Sequence, residues 1–109
     1  MGMKTTVDDN FRDKVVQIIQ SVPAGRVTTY GDVASLAGHP TAARVVGGIA
    51  HYGSESLPWH RLVNRNGRLA RGFPGGPSVQ WQLLDQEGVT CTHYKVDNFQ
   101  ALRWTYGTE

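Results

Sequence analysis

The stretch that decides the fold is residues 29–50, which read TYGDVASLAGHPTAARVVGGIA. Thr29 can cap a helix of about Tyr30 to Ala37, with Asp32 three positions later in the manner of a capping box. Gly38 can end that helix in a left-handed conformation, and a proline-containing turn then leads into a second short helix. Two short helices joined by a tight turn with glycine predict a helix-turn-helix unit.

The second helix of this unit is unusual because small side chains surround one long basic side chain. We predict that Thr41 caps it and that it covers residues 42–50, with Arg44 as the long side chain. The small residues are Ala42, Ala43, Gly47, Gly48 and Ala50. Each glycine costs about 1 kcal/mol of helix stability relative to alanine. Close approach of the backbone to DNA or to a neighbouring helix would compensate, and the sequence leaves both explanations open.

An amphipathic helix is predicted before this unit, from Asp8 or Asp9 to Ser21. Its apolar residues recur with helical spacing and form one stripe. They are Phe11, Val15, Ile18, Ile19 and Val22. The two aspartates suit the positive end of a helix, and Pro23 with the glycine that follows ends it. This helix is interpreted as scaffold.

A small β-hairpin wing is predicted after the unit. Trp59 to Val63 is interpreted as a short strand and Arg68-Leu69 as the returning strand. Asn64–Gly67 forms the turn between them, because Asn-Gly is a strong hairpin signal. Residues 70–77 contain too much glycine and proline for regular structure and are typical of a loop over a site. The predicted fold class is mainly α with this wing.

The remaining sequence predicts a fourth helix and a C-terminal tail. Ser78 is expected to cap that helix and Gly88 to close it. Residues 89–109 show only weak alternation of apolar and polar residues. Trp104, with Tyr106, is expected to anchor the tail.

The composition indicates one soluble domain, residues 1–109, with 39% hydrophobic and 18% charged residues. No apolar run reaches the roughly 18 residues of a membrane helix, and no signal-peptide core is evident, so we expect a cytoplasmic protein, nucleoid-associated if bacterial. The single cysteine, Cys91, rules out an intramolecular disulfide. The four histidines follow no metal-ligand spacing, so neither a metal nor a cofactor is expected.

Positive charge is concentrated in the middle of the chain. The segment 26–71 has six basic and two acidic residues, a net charge of +4, whereas the rest of the chain has a net charge of −2. The basic residues are Arg26, Arg44, Arg61, Arg65, Arg68 and Arg71. This distribution favours a polyanion-binding face.

Several motifs, in order and at consistent spacing, resemble the DNA-binding domain of O6-alkylguanine-DNA alkyltransferases. The matching segments are 23–34 (PAGRVTTYGDVA), 42–47 (AARVVG), 58–61 (PWHR), 75–76 (GG) and 83–88 (LLDQEG), within about residues 11–90. The resemblance implies a winged-helix-like fold. That family has Pro-Cys-His-Arg, and its cysteine accepts the alkyl group. Trp59 stands there in this chain, as in the alkyltransferase-like proteins, so the resemblance is closest to that subgroup.

The tryptophan argues against catalysis. Direct alkyl transfer needs a deprotonated, polarisable nucleophile, and an indole offers none. Cys91 lies about 30 residues downstream of Trp59 without the surroundings that would lower its pKa. His60 and Glu87 match the family's pair that activates the cysteine, and without it we expect them to form a structural hydrogen bond. The chain is therefore predicted not to be an enzyme.

The resemblance implies a DNA-binding surface that reaches a base rotated out of the stack. Arg44 is implied to insert into the vacated space, and Tyr30 to crowd the neighbouring phosphate; a phosphate clamp and a core-packed ring are the respective alternatives. The small residues of the second helix fit a narrow minor groove. The DNA-binding set is Thr29, Tyr30, Ala42, Ala43, Arg44, Gly47, Arg65 and Arg68, the last two as phosphate contacts.

The resemblance also implies a pocket for the rotated base. Trp59 would line it, and Arg71 would sense the altered electrostatics of an alkylated purine or contact a phosphate. The backbone around Val63 and between residues 70 and 73 would meet the base edge. The predicted pocket set is Tyr30, Trp59, His60, Val63, Arg71 and Phe73.

The implied function is that of a damage sensor. A monomer would bind double-stranded DNA containing O6-alkylguanine, transfer no alkyl group, and hand the complex to nucleotide excision repair proteins. A helix-turn-helix transcription regulator or a general DNA-binding protein is the alternative. The second helix offers one long polar side chain rather than a set of base-reading residues, which argues against the regulator.

Overall fold

The structure, a computed structural model, describes residues 10–105, and helices carry most of its regular structure. The helices are α1 (Phe11–Ser21), α2 (Tyr30–Leu36), α3 (Ala43–His51), α4 (Pro77–Gln86) and α5 (Phe99–Leu102). The strands are β1 (Thr28–Thr29), β2 (Leu62–Val63), β3 (Cys91–Thr92) and β4 (Lys95–Val96), and a 3₁₀ turn covers Trp59–Arg61. The predicted mainly α class with small strands is confirmed.

The first three helices build the larger apolar core. The predicted stripe of α1 is buried from Phe11 to Val22 and packs against Val33 of α2 and Val46 of α3. The amphipathic scaffold is therefore confirmed over α1. Asp8 and Asp9, which we expected at its start, lie outside the described residues.

Thr29 caps α2 as predicted. Its side-chain oxygen accepts a hydrogen bond from the backbone N–H of Asp32 at 3.0 Å. Gly38 follows the C-terminal end of α2 with φ +93°, a conformation that glycine adopts without steric cost. The predicted helix-turn-helix is thus present, with α2 and α3 packed together.

The prediction that Thr41 caps α3 is wrong. Ala42 occupies the cap position and makes no side-chain cap hydrogen bond. Its N–H donates to the carbonyl of His39 at 2.9 Å, and its own carbonyl accepts from Val46 at 3.1 Å. The turn after Pro40 therefore extends one residue further than expected, so the first helical carbonyl belongs to Ala42.

The predicted two-stranded wing is wrong in its pairing. Trp59–Arg61 form the 3₁₀ turn, and only Leu62–Val63 are extended, paired in parallel with β1. The Asn64–Gly67 turn is present, with the N–H of Gly67 donating to the carbonyl of Asn64 at 2.9 Å. After it, Arg68 pairs with Lys95 of the antiparallel β3–β4 hairpin. The wing is therefore completed by residues distant in sequence.

The start of α4 also differs from expectation. Pro77 is its first residue and Gly76 its cap, at φ +95°, so Ser78 lies inside the helix and is not its cap. The Ser78 hydroxyl lies 3.2 Å from the hydroxyl of Tyr94 instead. Proline is favoured at the first helical position because its missing N–H is not needed there. Gly88 follows the helix with φ +84°, as predicted.

The C-terminal segment is tied to the helix-turn-helix. Trp104 is 2% exposed and belongs to the larger core, which confirms the predicted anchor. The backbone N–H of Trp104 donates to the carbonyl of Val27 at 2.7 Å. Arg103 binds Asp32 of α2 through two hydrogen bonds of 2.7 and 2.8 Å. Tyr106 lies outside the described residues.

Among residues 10–105, no helix has the length and apolar character that a membrane span requires.

Candidate functional site

A pocket of about 90 Å³ opens between α3, the 3₁₀ turn and the loop that follows β2. Tyr30, Gly47, Trp59 and Phe73 line it, so the structure brings together four of the residues singled out in the sequence. Leu62 and His51 also line it and were missed. His51 follows Gly47 by four positions, about one helical turn, and this spacing could have placed it on the same face of α3.

Trp59 forms a fixed wall of this pocket. Its side chain is 7% exposed, and its indole N–H donates to the carbonyl of Ser54 at 3.0 Å. The ring lies against Gly53 so closely that a Cβ on that glycine would sit 2.5 Å from the indole nitrogen. The same ring lines a second, largely apolar cavity of about 380 Å³ on the side of α4.

The two glycines of α3 have different surroundings. A Cβ at Gly47 would lie 3.8 Å from the ring of Tyr30, whereas at Gly48 nothing lies within 4 Å. A methyl group at Gly47 would therefore make an ordinary van der Waals contact with Tyr30, and Gly48 leaves part of the outer surface of α3 flat. Burial raises the pKa of Tyr30 above its ordinary value, so its hydroxyl stays protonated at neutral pH.

Arg44 projects from the exposed side of α3. Within the described part of the chain it has no hydrogen-bond or ion-pair partner, so its guanidinium is available to a ligand. Ala43 beside it is half-buried. Ala42 is 4% exposed and packs in the core, so its side chain is not presented at the surface of α3.

Two other predicted site residues are buried away from the surface. Thr29 is 1% exposed and caps α2, so its side chain does not reach a ligand without local opening. Val63 is fully buried in a second apolar cluster with Val27 and Leu69 and does not line the pocket. Successive strand residues point to opposite faces, so the pocket receives Leu62 instead.

The predicted arginines of the loops lie at the surface. Arg71 is exposed between Ala70 and Gly72, which both line the pocket, and so stands at its rim. Arg65 and Arg68 are exposed around the turn after β2. None of the three forms an ion pair among residues 10–105.

Behind the pocket, His60 lies 2.8 Å from a carboxylate oxygen of Glu87 and lines the second cavity rather than the pocket. The pair that the sequence predicted is thus formed. Arg61 was missed as its third member; it donates to both Glu87 oxygens, at 3.0 and 2.6 Å, and to the carbonyl of Val22 at 2.7 Å. Burial favours a raised pKa for Glu87, but hydrogen bonds and charge from Arg61 and His60 outweigh it and lower the pKa to about 2.

Gln80 of α4 is a further positioning residue that the sequence did not reveal. Its amide donates to the carbonyls of His60 and Leu62, at 3.0 and 2.9 Å, and accepts from the N–H of Ala70 at 2.7 Å. It therefore joins the 3₁₀ turn to the loop at the pocket rim. The signal available was a polar residue four positions before Leu84 on the buried side of a helix.

Cys91 has the surroundings of an inert thiol. It is half-buried in β3, and burial together with the nearby carboxylates of Asp97 and Asp85 raises its pKa to about 11. A thiol in that state is a poor nucleophile at neutral pH. No group of histidine, cysteine or acidic residues within 10–105 is arranged to hold a metal ion.

Comparison with known proteins gives a consistent result. Residues 10–89 match the sequence model of a protein family, the 6-O-methylguanine DNA methyltransferase DNA-binding domain. The chain is 45% identical over 107 residues to the DNA base-flipping protein of Escherichia coli, covering 94% of this chain and 81% of that protein. It is 38% identical over 84 residues to alkyltransferase-like protein 1 of Schizosaccharomyces pombe, covering 74% and 78% of the two chains.

A solved structure is also similar. The crystal structure of S. pombe Atl1 in complex with damaged DNA containing O6-carboxymethylguanine superimposes with a TM-score of 0.78 at 31% identity. The superposition covers 91% of this chain and 98% of that chain.

Proposed function

Because the chain belongs to the family of the 6-O-methylguanine DNA methyltransferase DNA-binding domain, we propose that it senses DNA damage by binding O6-alkylguanine in duplex DNA without repairing it. The alkylated base leaves the stack and enters the Trp59 pocket. The observation that carries this proposal is the fixed Trp59 side chain, which is bonded to Ser54 and stands where the resemblance places the acceptor cysteine.

The chemistry of the pocket supports binding without transfer. Alkyl transfer forms a carbon–sulfur bond and needs a thiolate within reach of the alkyl carbon. The indole of Trp59 has no comparable nucleophile, and the pKa of about 11 leaves Cys91 protonated. An indole face can instead pack on a purine, which is worth on the order of 1–3 kcal/mol per base.

The surface of α3 supports entry through the minor groove. Arg44 stands exposed on this helix, and nothing covers Gly48, so the backbone can approach a narrow groove closely. Arg44 fills the space that the base leaves, and Tyr30 lies between α3 and the pocket, where it crowds the backbone of the rotated nucleotide.

Binding without transfer is useful to a cell when the complex recruits another activity. We therefore propose that the lesion complex is passed to nucleotide excision repair proteins. Capture of these proteins on lesion-containing DNA should depend on the presence of this protein. Equal capture with and without it would contradict recruitment while leaving lesion binding intact.

The experiment that tests the function pairs two measurements. A duplex with one O6-methylguanine and the same duplex with guanine are titrated with the protein, and the intact mass of the protein is then measured. Tighter lesion binding with unchanged mass is the expected result. A gain of one methyl group would mean that a residue accepts alkyl groups, and equal affinity would indicate a general DNA-binding protein or a regulator that recognises another sequence.

A further inference from the structure

We propose that the β3–β4 hairpin and the turn after β2 form a second contact with DNA, which holds backbone phosphates of the same duplex beyond the rotated base. This inference rests on the proposed DNA binding and extends it to residues beyond the family match at 10–89. The surface concerned, called the hairpin groove, is a depression of about 770 Å³ lined by these two segments and by residues 97–101.

The first observation is a pair of like charges in direct register. Arg68 and Lys95 are cross-strand partners in an antiparallel bridge, and both are exposed. Directly opposed residues place their side chains on the same face, where like charges destabilise the sheet. Neither side chain has an ion-pair partner among residues 10–105. An anion lying over the pair would remove this repulsion.

The second observation is the composition of the hairpin groove. Arg65 and Lys95 supply positive charge, and exposed amide and hydroxyl side chains surround them. The latter are Asn66, Thr92, Asn98 and Gln100. Arginine, lysine, threonine and amide side chains are the ordinary partners of DNA phosphate and sugar oxygens, and they carry no sequence preference. One carboxylate, Asp97, also lines the groove and opposes an anion there.

The third observation is proximity along the chain to the Trp59 pocket. Leu62 lines the pocket, and the turn that begins at Asn64 follows two residues later. Extended chain advances about 3.3 Å per residue, so the hairpin groove begins within about 10 Å of the pocket. Duplex DNA carries one charge per roughly 1.7 Å along its axis, so a duplex engaged at the pocket supplies phosphates at this distance.

The test uses two variants with opposite expected effects and a matched control. Lys95→Gln removes a cation from the groove, and Asp97→Asn removes its carboxylate. Arg12→Gln removes an exposed cation from α1 and accounts for the general effect of net charge. Thermal melting establishes that each variant is folded. Affinity for lesion-containing and undamaged duplexes is then measured across a series of salt concentrations.

We expect Lys95→Gln to weaken binding to both duplexes by a similar factor and to lower the slope of log affinity against log salt by about 0.9. The ratio of wild-type to variant affinity should therefore shrink about threefold between 50 and 200 mM salt. Asp97→Asn should strengthen binding to both duplexes. Shortening the duplex on one side of the lesion, and not on the other, should abolish the effect of Lys95→Gln.

The inference is overturned if Lys95→Gln and Asp97→Asn both behave like Arg12→Gln on every duplex, which is also the outcome if the groove serves a protein partner. Failure of the proposed function gives a different result. In that case lesion and undamaged duplexes bind equally well, while Lys95→Gln still lowers the salt slope on both.

Discussion

The surroundings of the pocket and the outer side of α3 differ in how completely their polar groups are bonded. On the pocket side, Trp59, Gln80 and Glu87 each form hydrogen bonds with groups of neighbouring segments. On the outer side of α3, Arg44 has no partner among the described residues, and a Cβ added at Gly48 would meet nothing within 4 Å. The pocket is thus organised before any ligand arrives, whereas the guanidinium of Arg44 on the outer side of α3 is available to a ligand. Substitutions around the pocket should therefore lower the stability of the fold, whereas substitutions on the outer side of α3 should mainly change the affinity for DNA.

The largest expected effect on stability comes from the ion-pair network behind the pocket. Replacing Glu87 by Gln leaves Arg61 and His60 without their shared anion, and we expect a loss of about 3 kcal/mol in the free energy of unfolding at neutral pH. Urea denaturation of wild type and variant measures it. A loss under 1 kcal/mol would mean that solvent already screens this network.

The same network predicts a pH dependence. The folded-state pKa of Glu87 is about 2, against an ordinary value of 4.5. A group whose pKa is lowered by folding stabilises the protein above its unfolded pKa and loses that contribution as the pH falls through the folded pKa. The free energies of unfolding of wild type and Glu87→Gln should therefore converge as the pH is lowered from about 5 towards 2. A constant difference over this range would contradict the lowered pKa.

A single methyl group should disturb the pocket wall. In Gly53→Ala, the new Cβ would lie 2.5 Å from the indole nitrogen of Trp59, so the ring must move. We expect a destabilisation of about 1–3 kcal/mol, typical of overpacking, and a smaller ratio of lesion to undamaged affinity. Thermal melting and paired titrations measure the two effects. An unchanged affinity ratio would show that the exact position of the indole does not determine lesion preference.

The same substitution on the other side should have the opposite effect on stability. Gly48→Ala adds a methyl group to open space in a helix interior, and we expect a gain of about 1 kcal/mol. If α3 enters a groove with this surface, the variant binds both lesion and undamaged duplexes more weakly despite being more stable. Unchanged affinity would place the DNA on another part of α3.

The smallest effect on stability is expected for Arg44→Ala. Since Arg44 is exposed and has no partner among the described residues, the free energy of unfolding should change by less than about 0.5 kcal/mol. Affinity for lesion and undamaged DNA should fall alike, by about tenfold, as expected for loss of a charged contact. A loss restricted to the lesion duplex would mean that Arg44 contributes to recognition of the lesion and not to general DNA binding.

The sequence predicted those features that depend on near neighbours in the chain. The α1 stripe follows from helical periodicity, the Thr29 cap from a three-residue spacing, and the Asn64–Gly67 turn from a dipeptide. The motif around Trp59 located the pocket, because the resemblance involves several segments in order. In each case the deciding interaction is local or carried by a recognisable motif.

What the sequence did not predict depends on contacts between distant residues. The parallel pairing of β2 with β1 and the bridge from Arg68 to Lys95 join segments 34 and 27 residues apart, respectively, and two-residue strands carry no periodicity. The burial of Ala42 and Val63 was missed for a related reason. Small or β-branched residues suit both a ligand surface and a core, and only packing decides between them.

The bonds between Arg103 and Asp32 have a consequence for synthesis of the protein. They span 71 residues, and the backbone pairing of Val27 with Trp104 spans a similar distance. Contacts of this separation cannot form until the later partner has left the ribosome exit tunnel. Until nearly the whole described chain has emerged, α2 therefore lacks its bonds to Arg103, although it can already pack against α1 and α3. A ribosome-bound nascent chain that stops before residue 103 should be more sensitive to protease than the released protein.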